Sequence, residues 1–348
     1  MTEDLLPSHR YRAAIATWLF AVLAMLFVMV VLGGVTRLTQ SGLSMVEWHP
    51  VTGWLPPTSE AAWRETFQNY QQFPEFRQLN FTMDLTEFKK IFWLEYLHRL
   101  WGRLIGVAFF VPLIYFVARH RVDWRLGVKL GTLFVLGGLQ GGLGWYMVKS
   151  GLAERPDVSQ YRLSAHLGAA LVIYGYMLWV ALGLLFPEPQ APPGGRKLWW
   201  SSLAVLALIF VTVLSGAFVA GTDAGFAYNT FPLMAGQWVP DGLFDMDPFI
   251  LNFLENITTI QFEHRLLAET LFVVIAAFWI KARRAALTAR ARRAFNGLVA
   301  MAAVQIALGI TTLILVVPVA LASAHQAGAL VLYTFAVWMS HELRPRPA

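Results

Sequence analysis

The sequence predicts an all-α integral membrane protein whose eight transmembrane helices form two pseudo-symmetric four-helix bundles, a parallel internal repeat. Three observations predict it. The 348-residue chain is 57% hydrophobic and only 14% charged, where a soluble chain carries about 25% charged residues. Residues 13–36, 163–187, 198–222 and 294–341 contain no Asp, Glu, Lys or Arg, and about 20 apolar residues are enough to cross a bilayer. Finally, short motifs of the first half recur in the same order in the second.

Taken in order, hydropathy places the spans at about 14–34, 93–118, 128–148, 163–186, 199–219, 260–281, 294–316 and 321–341. The charge-free run at 294–341 is long enough for two of them. Basic residues concentrate on one side of this arrangement, in the segments holding Arg10 and Arg12, Arg119 to Lys129, Arg196 and Lys197, Lys281 to Arg293, and Arg344 and Arg346. By the positive-inside rule this side, with both termini, is cytoplasmic. The net charge of +6 therefore reads as loop asymmetry and not as affinity for nucleic acid. Two long segments, about 35–92 and 220–259, lie on the opposite side; their Trp, Phe, Gly and Pro content predicts that they fold over that face. With no cysteine, disulfides, zinc–thiolate sites and iron–sulfur clusters are excluded. The N-terminus, Met1–Arg12, shows neither a cleavable signal nor a transit peptide, which points to a bacterial cytoplasmic (inner) membrane.

The repeat pairs Glu95-Tyr-Leu-His-Arg99 with Gln261-Phe-Glu-His-Arg265, Leu139-Gln-Gly-Gly-Leu-Gly144 with Val304-Gln-Ile-Ala-Leu-Gly309, and Ser164-Ala-His-Leu-Gly168 with Ser323-Ala-His-Gln-Ala327. Upstream, Gly33–Pro57 shares its Gly, Thr and Pro rhythm with Gly216–Pro240. Four spans per half running in the same direction imply an axis along the membrane normal, with halves at residues 1–190 and 191–348.

Four of the eight histidines occupy equivalent repeat positions: His98, His166, His264 and His325. They open spans 2, 4, 6 and 8, so two neighbouring helices of each half present one imidazole apiece at similar depth. Facing imidazoles are natural axial ligands of heme iron, and bundle cores are where such sites are built. Interfacial histidines bonded to loops are the plainer reading, but polar groups inside a membrane are costly and mark function. A metal without porphyrin is the other alternative. Arg99 and Arg265, beside their histidines, are candidates for heme propionate contacts. His9, His120 and His341 are terminal or in a basic loop, and His49 lies in the first long loop; none fits the pattern.

The halves differ at one place. Glu95 precedes His98 by one helical turn, on the same face, with Cβ atoms about 5–6 Å apart. The second half has Gln261 there, with Glu263 off that face. A carboxylate beside a heme can hold or pass protons; equally, Glu95 can simply pair with Arg99 four residues on. The asymmetry nominates the first half for chemistry and the second for a permanent heme.

The run Gly33-Gly-Val-Thr-Arg-Leu-Thr-Gln-Ser-Gly-Leu-Ser-Met45, followed by Trp48 and Pro56-Pro57, resembles the first outer-loop signature of heme A synthases, and Glu95-Tyr-Leu-His-Arg99 resembles their second-helix motif. The resemblance covers essentially the whole chain and implies a bacterial-type, cysteine-free branch. It implies an oxidoreductase acting on heme O, which converts the porphyrin C8 methyl to a formyl group and yields heme A for heme–copper terminal oxidases. His98 and His166 would then hold the substrate heme, with Glu95 as catalytic carboxylate, and His264 and His325 would ligate a resident heme b. Heme O synthase, an electron donor, membrane lipid and a second copy of the chain are candidate partners. The competing functions are a di-heme b-type membrane cytochrome that transfers electrons, and a transporter built on the parallel repeat.

Overall fold

The computed structural model describes residues 7–48, 53–152, 158–189, 192 and 195–345, with the side chains of residues 7–10, 150 and 151 left aside. Ten α-helices and no strand occur among the described residues. They are α1 (Pro7–Leu38), α2 (Glu60–Gln71), α3 (Pro74–Gln78), α4 (Leu85–Ala118), α5 (Trp124–Gly151), α6 (Gln160–Leu185), α7 (Arg196–Gly221), α8 (Ile257–Ala282), α9 (Ala289–Ile314) and α10 (Val319–Glu342). Seven are long and apolar enough to cross a membrane. The eighth long helix, α8, has 26 residues but carries Glu263, Arg265, Glu269 and Lys281, which dilute its apolar run. The molecule is a multi-pass, all-α membrane protein.

The long helices form two rings with the same neighbour pattern. In the first, α1 packs on α4 and α6, and α5 packs on α4 and α6; in the second, α7 packs on α8 and α10, and α9 on α8 and α10. The rings meet through α6 with α7, α1 with α10, and α6 with α10, the set that a two-fold relation between them requires. Equivalent side chains mark this seam. The Tyr174 hydroxyl lies 3.0 Å from Thr334 Oγ1, while Tyr333, its counterpart, presses on Gly175, where any Cβ would force it to shift. Gln326 donates to the Val30 carbonyl at 3.0 Å, and a Cβ on Gly34 would collide with it. Leu171, Leu178, Ile209, Leu330 and Val337 fill the core around this seam.

Helix α4 begins earlier than hydropathy predicts, at Leu85 instead of about 93. Its first two turns hold Glu87, Lys89 and Lys90, which lower hydropathy without opposing helix. A capping box starts it: the Glu87 N–H donates to Asp84 Oδ1 at 2.8 Å, and the Asp84 N–H donates to Glu87 Oε2 at 3.2 Å. The extension supports α2 and α3 through a cluster of Trp63, Tyr70, Phe88, Phe92 and Tyr96, so the first long segment is folded, as its aromatic content predicts. The second segment is stitched across the seam, by Arg37 to Asp223 at 3.1 Å and by the Tyr161 hydroxyl to Glu255 at 2.5 Å.

Candidate functional site

All four repeat histidines lie on even-numbered helices, His98 on α4, His166 on α6, His264 on α8 and His325 on α10. Each is half-buried, and the two of each half are close enough to interact electrostatically. The helices that carry them are not neighbours, contrary to the sequence expectation. Helices α4 and α6 sit diagonally across the first ring, and α8 and α10 across the second, separated by the helices between them. Sequence patterning gives each helix its inward face but not the order in which helices surround a core, hence the difference. A diagonal pair lies across the bundle interior, the place where helix bundles build cofactor sites.

The intervening helices meet the imidazoles with glycine. A Cβ on Gly33 of α1 would lie 3.3 Å from His98 Nε2, and one on Gly144 of α5 would lie 3.0 Å from His166 Cε1. In the second ring, the corresponding distances are 3.0 Å from Gly216 of α7 to His264 Cε1 and 2.9 Å from Gly309 of α9 to His325 Cε1. Each ring is thus seated directly on a neighbouring backbone, which fixes its plane. Four equivalent cradles fit a pair of bis-imidazole sites. Among the described residues, no group of three or more His, Cys, Asp or Glu side chains gathers as a bare metal ion would need.

Three of the four imidazoles also have a partner at Nδ1. The amide nitrogen of Gln140 lies 3.2 Å from His166 Nδ1 and donates to the His166 carbonyl at 2.9 Å. Gln305 repeats this at His325, at 3.1 and 2.9 Å. The His264 Nδ1 lies 2.8 Å from Ser215 Oγ, whose own proton goes to the Thr212 carbonyl at 2.8 Å. With that proton so engaged, Ser215 can accept from an Nδ1–H, the tautomer in which Nε2 is free to bind a metal. Sequence reading quoted Gln140 and Gln305 within the repeat without assigning them a task, and missed Ser215. The signal was there: within matched segments, Ser215 stands where the first half has Leu32.

Glu95 is 2% exposed. Its Oε2 accepts from Ser44 Oγ and from the Met45 N–H, each at 2.7 Å, and its Oε1 forms an ion pair with Arg99. Arg99 also donates to the carbonyls of Met45 at 2.7 Å and Glu47 at 2.9 Å, and lies 5.0 Å from the centre of the Trp48 ring. In the second half Arg265 binds the equivalent carbonyls, Tyr228 at 2.7 Å and Thr230 at 2.8 Å. There Gln261 replaces Glu95 and donates to the Tyr228 carbonyl at 3.1 Å, and Ala227 replaces Ser44. The carboxylate and its hydroxyl donor thus exist together in one half and are exchanged together in the other. Both arginines are occupied in pinning the long segments over the histidines.

The remaining histidines stand apart. His120 is exposed at a turn. His341 is buried at the far end of α10, 5.1 Å edge-on from Trp179 and with Nδ1 2.9 Å from Arg344. His49 lies outside the described residues, as does the side chain of His9.

Residues 16–337 match the family of cytochrome oxidase assembly proteins designated COX15-CtaA. The chain is 56% identical over 332 residues to a heme A synthase of Nitrosospira multiformis, covering 95% of this chain and 93% of that one. It is 47% identical over 346 residues to heme A synthase COX15 of Arabidopsis thaliana (96% and 76% covered), and 47% identical over 353 residues to heme A synthase COX15 of Homo sapiens (98% and 85% covered). With its diagonal histidine pairs and a single buried carboxylate beside one of them, the chain belongs to the COX15-CtaA family of cytochrome oxidase assembly proteins.

Proposed function

We infer that the chain is a heme A synthase, an oxidoreductase that converts heme O to heme A. The family match and the heme A synthase relatives support this along nearly the full chain. The observation that carries it at the level of residues is the broken symmetry: two equivalent histidine pairs, but a caged carboxylate, Glu95 with Ser44, at only one.

Residues 1–190 form the catalytic half, with His98 and His166 holding the substrate heme. Residues 191–348 form the second half, in which His264 and His325 fit a resident heme b. A heme b bound there supplies one-electron transfer. The chain's own part is to orient and to hold charge. Gly33, Gly144 and Gln140 fix the first pair of imidazoles. Ser44, the Met45 N–H and Arg99 all donate to Glu95, which lies one turn from His98. A carboxylate held there could take up a proton, or offset positive charge, as a methyl group is oxidised to a formyl group. Arg99 and Arg265 remain candidates for propionate contacts, secondary to the carbonyls they already bind. The basic short-loop side, with both termini, faces the cytoplasm of a bacterial inner membrane, and the histidines lie toward the periplasmic side. Heme O synthase, an electron donor and a second copy of the chain are the partners this reading anticipates.

The decisive experiment supplies heme O to the expressed chain in a host that lacks heme A, then extracts and chromatographs the hemes. Heme A is the expected product. A folded preparation yielding only heme B and heme O would replace this reading with that of a di-heme electron-transfer cytochrome.

A further inference from the structure

The two halves differ in a second place, on the membrane-facing flank of α5. A groove of about 260 Å³ runs between α5 and α6, lined by Leu136, Leu139, Leu143, Ala169, Val172 and Gln140. Its lining is apolar except for Gln140, whose amide nitrogen is the one 3.2 Å from His166 Nδ1. The groove therefore reaches the side chain that contacts His166, one member of the first histidine pair. Leu139 is 65% exposed and Val172 48% exposed, so its other end opens on the surface that faces lipid.

The second half closes the same place. Gly328 stands where Ala169 stands, and Met301, Gln305 and Leu308 stand where Leu136, Gln140 and Leu143 stand. At Gly328 a Cβ would collide with Gln305 Oε1 and come within 3.1 Å of Met301 Cε and 3.4 Å of Leu308 Cδ1. The methyl that Ala169 carries has no room there, because α9 has moved in against α10. On α5, moreover, Gly137, Gly138, Gly141 and Gly142 have nothing within 4 Å of a Cβ position, whereas their counterparts are Ala302, Ala303, Ile306 and Ala307. One bundle is packed shut beside its second ligand; the other has an apolar groove between the glutamine at that ligand and the membrane-facing surface.

We propose that this α5–α6 groove receives the isoprenoid tail of the substrate heme. Heme O differs from heme B by that long hydrocarbon tail, which no porphyrin clamp of resident-heme dimensions accommodates. The tail needs an apolar path that leads from the macrocycle into the bilayer. The groove leads from the neighbourhood of His166 toward the lipid, and the equivalent place beside Gly328 in the second half is filled by Gln305, Met301 and Leu308. The proposal rests on the assignment of His98 and His166 to the substrate, and explains how a site with two equivalent clamps admits the tailed heme to just one.

The test titrates the full-length protein, in lipid nanodiscs and with its resident heme in place, with heme O and separately with tail-less heme B. Ala169→Phe, which fills the groove, should weaken heme O binding about tenfold or more, as loss of a hydrophobic subsite does. Heme B binding should change less than about twofold, and the resident heme spectrum not at all. Val172→Trp, at the exposed rim, should give the same split and serves if the first variant does not fold. Equal weakening of both hemes, or of neither, overturns the proposal. His98→Ala separates this from the underlying assignment. If that variant still binds heme O while His325→Ala does not, the halves are reversed, whatever the groove variants show.

Discussion

Ser215 Oγ lies 2.8 Å from His264 Nδ1, whereas the first half has Leu32 at the position equivalent to Ser215. A leucine cannot accept a proton, so one ligand is locked in tautomer and orientation and its counterpart is not. Outer partners of this kind raise ligand basicity and typically change metal affinity 10–100-fold on removal. Ser215→Ala should therefore loosen the second-half heme, with about tenfold weaker retention on dilution and an altered low-spin spectrum. Leu32→Ser should do the reverse at the first half, slowing release of its heme. A Ser215→Ala protein that keeps its heme and spectrum unchanged would make the contact incidental.

The carboxylate can be tested without changing shape. Glu95→Gln keeps the volume and reproduces the second-half residue, but removes the charge that Ser44, Met45 and Arg99 surround. Heme A formation should drop about 100-fold or more, the scale of a lost acid–base or electrostatic group, while the second-half heme spectrum persists. Undiminished product formation would leave Glu95 with only its structural task of joining α4 to the segment above it.

Ligand deletions should separate by half. His264→Ala or His325→Ala should remove the resident heme signal from purified protein, and His98→Ala or His166→Ala should spare it. Difference spectra of the four variants read this directly; loss of the resident signal on removing His98 would interchange the roles.

Close approach of backbone to imidazole predicts sensitivity to one methyl group. Gly309→Ala places a Cβ 2.9 Å from His325 Cε1, and Gly144→Ala places one 3.0 Å from His166 Cε1, so each ring must tilt. Gly309→Ala should lower resident-heme occupancy severalfold, measured as heme per protein. Gly131→Ala on α5, where nothing lies within 4 Å, is the control and should leave occupancy unchanged.

Arg265 holds two loop carbonyls, Tyr228 and Thr230. Hydrogen bonds to charged groups contribute about 1.5–3 kcal/mol, so Arg265→Ala should expose the 222–256 segment to protease well before the helices are cut. Equal cleavage rates in wild type and variant would contradict that pinning role.

The sequence made the helices and the four histidines legible because both follow from local chemistry: apolar runs, breaks in charge, and a motif repeated in order. It underran α4, since Lys89, Lys90 and Glu87 hide a helix that Asp84 caps. Diagonal placement of α4 against α6 escaped it, as helix order around a core depends on packing between segments distant in sequence. Glu95 was picked out from its contrast with Gln261, yet Ser44, which changes with it, lay unremarked in a run already quoted. The i+4 pairing of Glu95 with Arg99 was anticipated as the plainer alternative, and it coexists with the cage instead of replacing it. Ser215 and the groove were least legible: the first needs two matched positions compared across the halves, and the second is a property of empty space.

The seam between the halves holds the two histidines of the first pair differently. Helix α6 is gripped by α1, α7 and α10 and buries residues along most of its length. Helix α4 packs on α1 and α5 and, through its extension, on α2 and α3, and α5 turns a bare glycine flank outward. His166 therefore stands on a helix that joins the two bundles, and His98 stands on the outer wall of its own.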